Sequence, residues 1–362
     1  MKKILLPVLA ILLVLLPLIP DAVRADDGIT VLDSSAQVNF PTDITFSIAA
    51  ASDMSITDIR LHYSVERASF AQVTAEVYIT FTQAESVDAQ WVWDMRRTGG
   101  LPPGADIAYW WTVTDAAGRK IETEPSPVHI EDERYDWKTL QQGQITLYWY
   151  EGDESFAEEL MAAAQDALVR LADNTGAELE NPAKLYIYAN QEDLIGAMVY
   201  PQEWTGGVAF SQFGIIAIGI ETTQSQLEWG KRTIAHELTH LVIHQLTENP
   251  YNYLPTWLDE GLAMSSEGEL ELSFILALSW AEANNSYISV RSLCSPFSAY
   301  VEQTVLAYAE SYKIVAYLIK EYGREKMLEL LNVFKQGSGY DEALLKVYGF
   351  DMDELNTLWL SE

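Results

Sequence analysis

His236-Glu237-Leu238-Thr239-His240 sets two imidazoles four residues apart, with a carboxylate directly after the first. On a helix of 3.6 residues per turn the two histidines stand one turn apart and about 40° around the axis, so both rings reach a single ion. Paired imidazoles at this spacing suit zinc. Glu237, displaced to the side, is placed to take a proton from an attacking water. The chain has only five histidines in 362 residues, so chance accounts poorly for the pattern. His244 continues the stripe one turn further and fits packing, or support of a ligand, better than ligation.

Catalytic zinc takes three protein ligands and keeps one position open. Glu260, in Leu254-Pro255-Thr256-Trp257-Leu258-Asp259-Glu260-Gly261-Leu262-Ala263, is the expected third. These residues need two helices that face each other. His236 and His240 lie in a helical pattern from Thr233 to His244, and Glu248-Asn249-Pro250-Tyr251-Asn252 is a turn signal that lets the chain fold back as a second helix. The result would be a His-His-Glu site.

H-E-x-x-H followed by W-L-x-E-G-x-A resembles the gluzincin metallopeptidases, in particular the peptidase MA-like domain of exported bacterial proteins. The resemblance implies zinc held by His236, His240 and Glu260, with Glu237 as general base and a peptide or protein as substrate. A metzincin site is excluded, because Ile243 and Leu246 occupy the positions of its glycine and third histidine. Within the resemblance, Tyr308 in Leu306-Ala307-Tyr308-Ala309-Glu310-Ser311-Tyr312 is the candidate donor to the oxyanion, with Tyr312 in reserve. The family's edge strand, which pairs with extended substrate, is assigned to Gly214–Ile220, just before the metal helix. Aminopeptidases of the group carry a G-x-M-E-N motif upstream; it is missing here, and Glu221 lacks its surroundings, so an endopeptidase is expected. One departure stands out. Where thermolysin-like enzymes place an aspartate that supports a ligand histidine, this chain has Met264.

Around that centre the chain reads as several units. Residues 1–25 combine Lys2 and Lys3, an apolar run from Ile4 to Ile19, and the small residues of Val23-Arg24-Ala25. This is the pattern of a cleaved signal peptide, and it implies an exported protein: secreted, periplasmic or at the cell surface. From 28 to 131 short alternating stretches such as Ile44–Ile48, Ile59–Val65 and Ile107–Thr114 predict an all-β sandwich of about seven strands. Its P-P-G-A-x-I-x-Y-x-W run is similar to immunoglobulin-like or fibronectin-like modules. Trp110 and Trp111 are adjacent and should face opposite sides of one strand. His62 and His129 stand apart from any cluster. Glu131–Asp136 reads as a charged connector.

Residues 137–362 then predict an α+β gluzincin-type domain with a helical second half. Phe156, Leu160, Ala164, Ala167 and Leu171 trace a helix stripe closed by Gly176. Ile145–Tyr150 and Leu185–Tyr188 read as strands.

The formal charge of −31 excludes nucleic acid as a partner and disfavours anionic membrane surfaces. Cys294 is the sole cysteine, so no disulfide forms within the chain. No stable membrane insertion is expected once the signal is removed. A competing reading is a binding or adhesion protein with a structural or inactive zinc domain, for which the missing support at Met264 speaks.

Overall fold

Alternation at period two from Ile29 onward builds a sandwich of eight strands: β1 Ile29–Asn39, β2 Asp43–Ser52, β3 Ile56–Val65, β4 Thr74–Tyr78, β5 Ser86–Asp94, β6 Asp106–Asp115, β7 Lys120–Glu122 and β8 Ser126–His129. One sheet runs β1-β2-β5; the other runs β4-β3-β6-β7, with β8 also on β6, and all pairs are antiparallel. The inward residues Ile44, Phe46, Ile48, Ile59, Leu61, Trp111 and Val113 form its core. Trp111 is buried there, while Trp110 turns outward and stacks on His62 at 5.5 Å. The two tryptophans thus face opposite sides, as the strand period requires. His129 is elsewhere, paired with Asp106 at 2.6 Å. The structure, a computed structural model, describes residues 28–361 except 69–70, 202–204 and 299; the expected signal at 1–25 lies outside them.

The second unit has its own core. A five-stranded sheet combines β9 Lys138–Gln142, β10 Ile145–Trp149, β11 Ala183–Tyr188, β12 Gly207–Phe210 and β13 Ile215–Gly219 in the order β12-β13-β11-β10-β9. The three inner strands are parallel and the two edge strands antiparallel to their neighbours. Helix α1 (Glu154–Thr175) crosses from β10 to β11. Asp153 caps its first turn by accepting from the Phe156 amide, and Gly176, at φ 74°, ends it. The whole stripe expected from the sequence, Phe156 to Leu171, is buried.

One expectation is corrected here. The Ile215–Gly219 strand is interior, paired on both sides; the edge beside the metal helix is Gly207–Phe210. The run Ile215-Ile216-Ala217-Ile218 is apolar on both faces because a parallel strand between two others is covered on both.

After a short helix α2 (Gln191–Ile195) the remaining elements are helical: α3 Gln224–Thr247, α4 Thr256–Glu267, α5 Leu272–Asn284, α6 Val301–Lys335, α7 Tyr340–Val347 and α8 Met352–Trp359. The apolar faces of α3, α4, α6, α7 and α8 merge with those of the sheet and α1 in one core running from Ile145 to Trp359, whereas α5 leaves Leu272, Leu276 and Trp280 exposed. The chain is thus an all-β sandwich followed by an α+β domain with a helical second half. Among the described residues no helix is long and apolar enough to cross a membrane.

The segment between the two units is packed. Asp132 is buried; it holds the Arg134 guanidinium at 2.7 and 2.6 Å and accepts from the Tyr188 hydroxyl at 2.9 Å. Tyr135, Trp137, Tyr150 and Tyr188 stack around it. Lys184 Nζ donates to the Gly104 carbonyl at 2.7 Å, joining β11 to the sandwich directly.

Candidate metal centre

Helix α3 buries Leu227, Ile234, Leu238, Leu241 and Val242 against the core. That leaves His236, Glu237 and His240 on the face turned to the cleft. The chain reverses after Thr247 because Asn249 organises the turn: its side chain accepts from the amides of Tyr251 (2.9 Å) and Asn252 (3.0 Å) and donates to the Phe334 carbonyl (3.1 Å). Helix α4 then packs across α3 and against α6. Gly261 permits the second contact, since a Cβ there would lie 2.4 Å from the Ser311 carbonyl oxygen.

The reversal brings three atoms together. His236 Nε2 and His240 Nε2 are 3.1 Å apart, and Glu260 Oε2 is 3.4 Å from the first and 3.5 Å from the second. Ligands about 2.05 Å from a tetrahedral zinc are separated by about 3.3 Å, so these spacings fit the ion. Glu260 Oε2 is also buried without a hydrogen-bond partner, as expected of an oxygen meant for something else. The donor set, two imidazole nitrogens and a carboxylate oxygen, is a zinc set.

Each imidazole is oriented by an acid. His236 Nδ1 faces Glu267 Oε1 at 2.8 Å and His240 Nδ1 faces Asp259 Oδ1 at 3.1 Å. A carboxylate accepts, so both Nδ1 atoms carry a proton and both Nε2 atoms face the shared point, where a metal would take the place of any proton they hold. Neither acid was found in the sequence. Glu267 lies seven residues past Glu260, two turns along the same face of α4, and that spacing was the available signal. Met264 packs into the core instead, 3% exposed. Support for the ligand histidines is therefore present, by another route.

The electrostatics follow. Burial lowers the His236 imidazole, but contacts with Glu260 and Glu267 prevail and lift it to about 9; His240 is likewise held well above its ordinary value, where Asp259 and Glu260 outweigh burial. Burial raises the Glu260 carboxyl, and the two imidazoles overcome this and hold it down at about 2. Such a pocket attracts cationic charge, and an entering metal would displace protons.

Glu237 lies beside the edge strand. A Cβ on Gly207 would be 3.3 Å from Glu237 Oε1 and 3.0 Å from Thr233 Cγ2, so glycine lets β12 approach the helix here. Tyr308, on α6, packs its ring 6.3 Å from that of His236 and against the edge of Phe297. Burial and the charges of Glu260 and Glu237 push its phenol well above the ordinary range, so its O–H remains a donor. Among the described residues Tyr312, one turn on, makes no hydrogen bond or ring contact with this group. His244 is also at the centre but aims away from the shared point, at Asp259 (3.0 Å) and Ser211 (2.8 Å).

A family model of the peptidase MA superfamily matches residues 163–362. The chain belongs to the peptidase MA superfamily. The matched stretch contains all the residues of the centre and begins inside α1. No curated protein matches the chain. Among solved structures, an M1 zinc metallopeptidase mutant from Deinococcus radiodurans is similar at 13% identity, over 94% of this chain and 96% of that one, with a TM-score of 0.39. Aminopeptidase A from Legionella pneumophila shares 10% identity over 92% of this chain and 50% of its own, TM-score 0.39. OgpA from Akkermansia muciniphila, crystallised with an O-glycopeptide, matches at 12% over 31% of this chain and 32% of its own, TM-score 0.22. This peptidase MA chain thus spans half or less of the latter two, and its family assignment rests on the sequence match.

Proposed function

We propose that the protein is an exported zinc endopeptidase, its peptidase unit running from about residue 137 to the end and carried behind the sandwich. The observation that supports it most is the convergence of His236 Nε2, His240 Nε2 and Glu260 Oε2 within 3.5 Å of one another. These three would hold zinc, which when bound supplies a Lewis acid that polarises a peptide carbonyl and acidifies a water. Glu237 takes the proton of the attacking water and passes it to the leaving amine. The Tyr308 hydroxyl donates to the oxygen on which charge develops. The main chain of Gly207–Phe210 offers its free edge to an extended peptide and holds it across the centre.

Two observations favour internal cleavage. The edge strand Gly207–Phe210 carries no acid that would hold a free amine. Next to its exit lies a cleft of about 560 Å³, lined by Ser211, His244, Asn249, Tyr251, Thr256 and Asp259, which offers room for a chain that runs on past the strand.

The test is metal content together with digestion of unfolded casein. One zinc per chain and chelator-sensitive internal fragments are expected. Glu237→Gln should keep the zinc and lose at least about 10²-fold in rate, the scale of a missing general base. Zinc-loaded parent protein that cleaves no unfolded peptide would sink the proposal.

A further inference from the structure

Behind the metal centre four side chains form a line that links the ligand helix to the edge strand. Asp259 Oδ1 faces His240 Nδ1 at 3.1 Å; the same carboxylate faces His244 Nε2 at 3.1 Å (Oδ1) and 3.0 Å (Oδ2); and His244 Nδ1 faces Ser211 Oγ at 2.8 Å. Ser211 immediately follows β12, in the single turn Ser211–Phe213 that joins it to β13.

Both ring nitrogens of His244 are engaged, Nε2 by the Asp259 carboxylate and Nδ1 by the Ser211 hydroxyl, which can give or accept a proton there. A displacement of Ser211 removes one of the two hydrogen bonds that fix the His244 ring, and a rotated His244 strips Asp259 of one of its two partners. Hydrogen bonds in such a chain strengthen one another.

We propose that His244 is a positioning residue that couples the metal to the substrate strand: through Asp259 it fixes His240, and through Ser211 it pins the exit of Gly207–Phe210. Metal binding, by fixing His240, would then tighten the strand on which a peptide is laid. The inference rests on the zinc reading above, but its structural half, the tie from α3 to the edge strand, stands without the ion.

The experiment compares wild type, Ser211→Ala, His244→Ala and His244→Gln as full-length chains, each metal-free and zinc-loaded. It measures zinc affinity by chelator competition and hydrogen–deuterium exchange in the peptide covering 207–213. Zinc should slow exchange there in the wild type. Ser211→Ala should abolish that zinc-dependent slowing while keeping zinc affinity within about threefold, since the Asp259 contact survives. His244→Ala should abolish it too and weaken zinc about tenfold, the scale set by loss of a group that orients a ligand. His244→Gln, whose amide N–H can still reach Asp259, should recover most of the affinity, a rescue that a merely space-filling histidine would not require.

Unchanged exchange at 207–213 in both Ser211→Ala and His244→Ala would overturn the coupling, as would wild-type zinc affinity in His244→Ala. Should His244→Ala fail to fold, Ser211→Ala alone decides the matter, since it removes one hydroxyl from a half-buried turn. If the wild type takes up no zinc, the peptidase reading fails by itself. Exchange at 207–213 in the metal-free variants then still reads the tie, with faster exchange supporting it and no change overturning it.

Discussion

Tyr308 is the residue whose role the centre leaves most open to measurement. It stands beside His236 with its hydroxyl kept protonated by burial and by nearby carboxylates. If it donates to the developing oxyanion, Tyr308→Phe should lower kcat by about 10²-fold, the cost of one such donor, with zinc content unchanged. Steady-state kinetics beside metal analysis separates this from a packing role, which would alter stability and leave kcat largely intact. Glu267 makes a second residue-scale case. It holds His236 Nδ1 at 2.8 Å and the Arg232 guanidinium at 3.3 Å. Glu267→Ala should weaken zinc binding by about 10- to 100-fold, because the imidazole loses the acceptor that fixes its orientation. Competition against a calibrated chelator gives the answer.

At the scale of elements, the site depends on how closely α4 can approach α6. Gly261 sits next to Glu260, and a methyl group there would meet the Ser311 carbonyl at 2.4 Å and Val315 at 2.6 Å. Replacing glycine by alanine in a helix normally gains about 1 kcal/mol. Here the overlap is with backbone and forces the helices apart, at a cost of about 1–3 kcal/mol, which outweighs that gain. Gly261→Ala should therefore be less stable to urea and should bind zinc more weakly, since Glu260 moves with α4. An unchanged denaturation midpoint would show that the helices part without strain. The same helix α6 carries Glu310, 0% exposed, accepting from the Ile288 amide at 3.1 Å. Burial pushes its carboxyl up to about 8. The native state thus holds this proton more firmly than the unfolded chain does. Its contribution is full below the ordinary glutamate value of 4.5 and is lost as pH rises towards 8. Glu310→Gln should remove that loss, so the variant gains stability on the parent between pH 5 and about 8, as thermal unfolding across that range would register.

Two large cores are joined by a smaller buried cluster around Tyr186 and Tyr188, with a buried acid beside it. Asp132 binds Arg134, receives the Tyr188 hydroxyl and sits under a cluster of aromatic rings between sandwich and peptidase unit. Asp132→Ala leaves the Tyr188 hydroxyl buried without its acceptor, a loss of about 1–3 kcal/mol. Calorimetry should show the two units uncoupling, with one transition in the parent separating into two in the variant. A single transition merely shifted downward would place the coupling elsewhere, for example at Lys184 and Gly104.

Much of this is legible in the amino-acid sequence. That His236, His240 and Glu260 come together could be read from spacing, because helical geometry converts a separation of four into proximity and the W-L-D-E-G stretch marks a second helix. Strand and helix periods gave the sandwich, the α1 stripe and the change of pattern near residue 137. Three things needed the tertiary structure. Which strand forms the edge depends on hydrogen bonding between segments, and the apolar run Ile215–Ile218 looks much the same at an edge as in the interior. The acids behind the ligands, Asp259 and Glu267, are meaningful only once α4 has folded back onto α3; in a chain with 53 acidic residues nothing local singles them out. Ser211 and His244 are the plainest example: they lie 33 residues apart, and only packing of the edge strand against the metal helix makes a hydroxyl and an imidazole into partners.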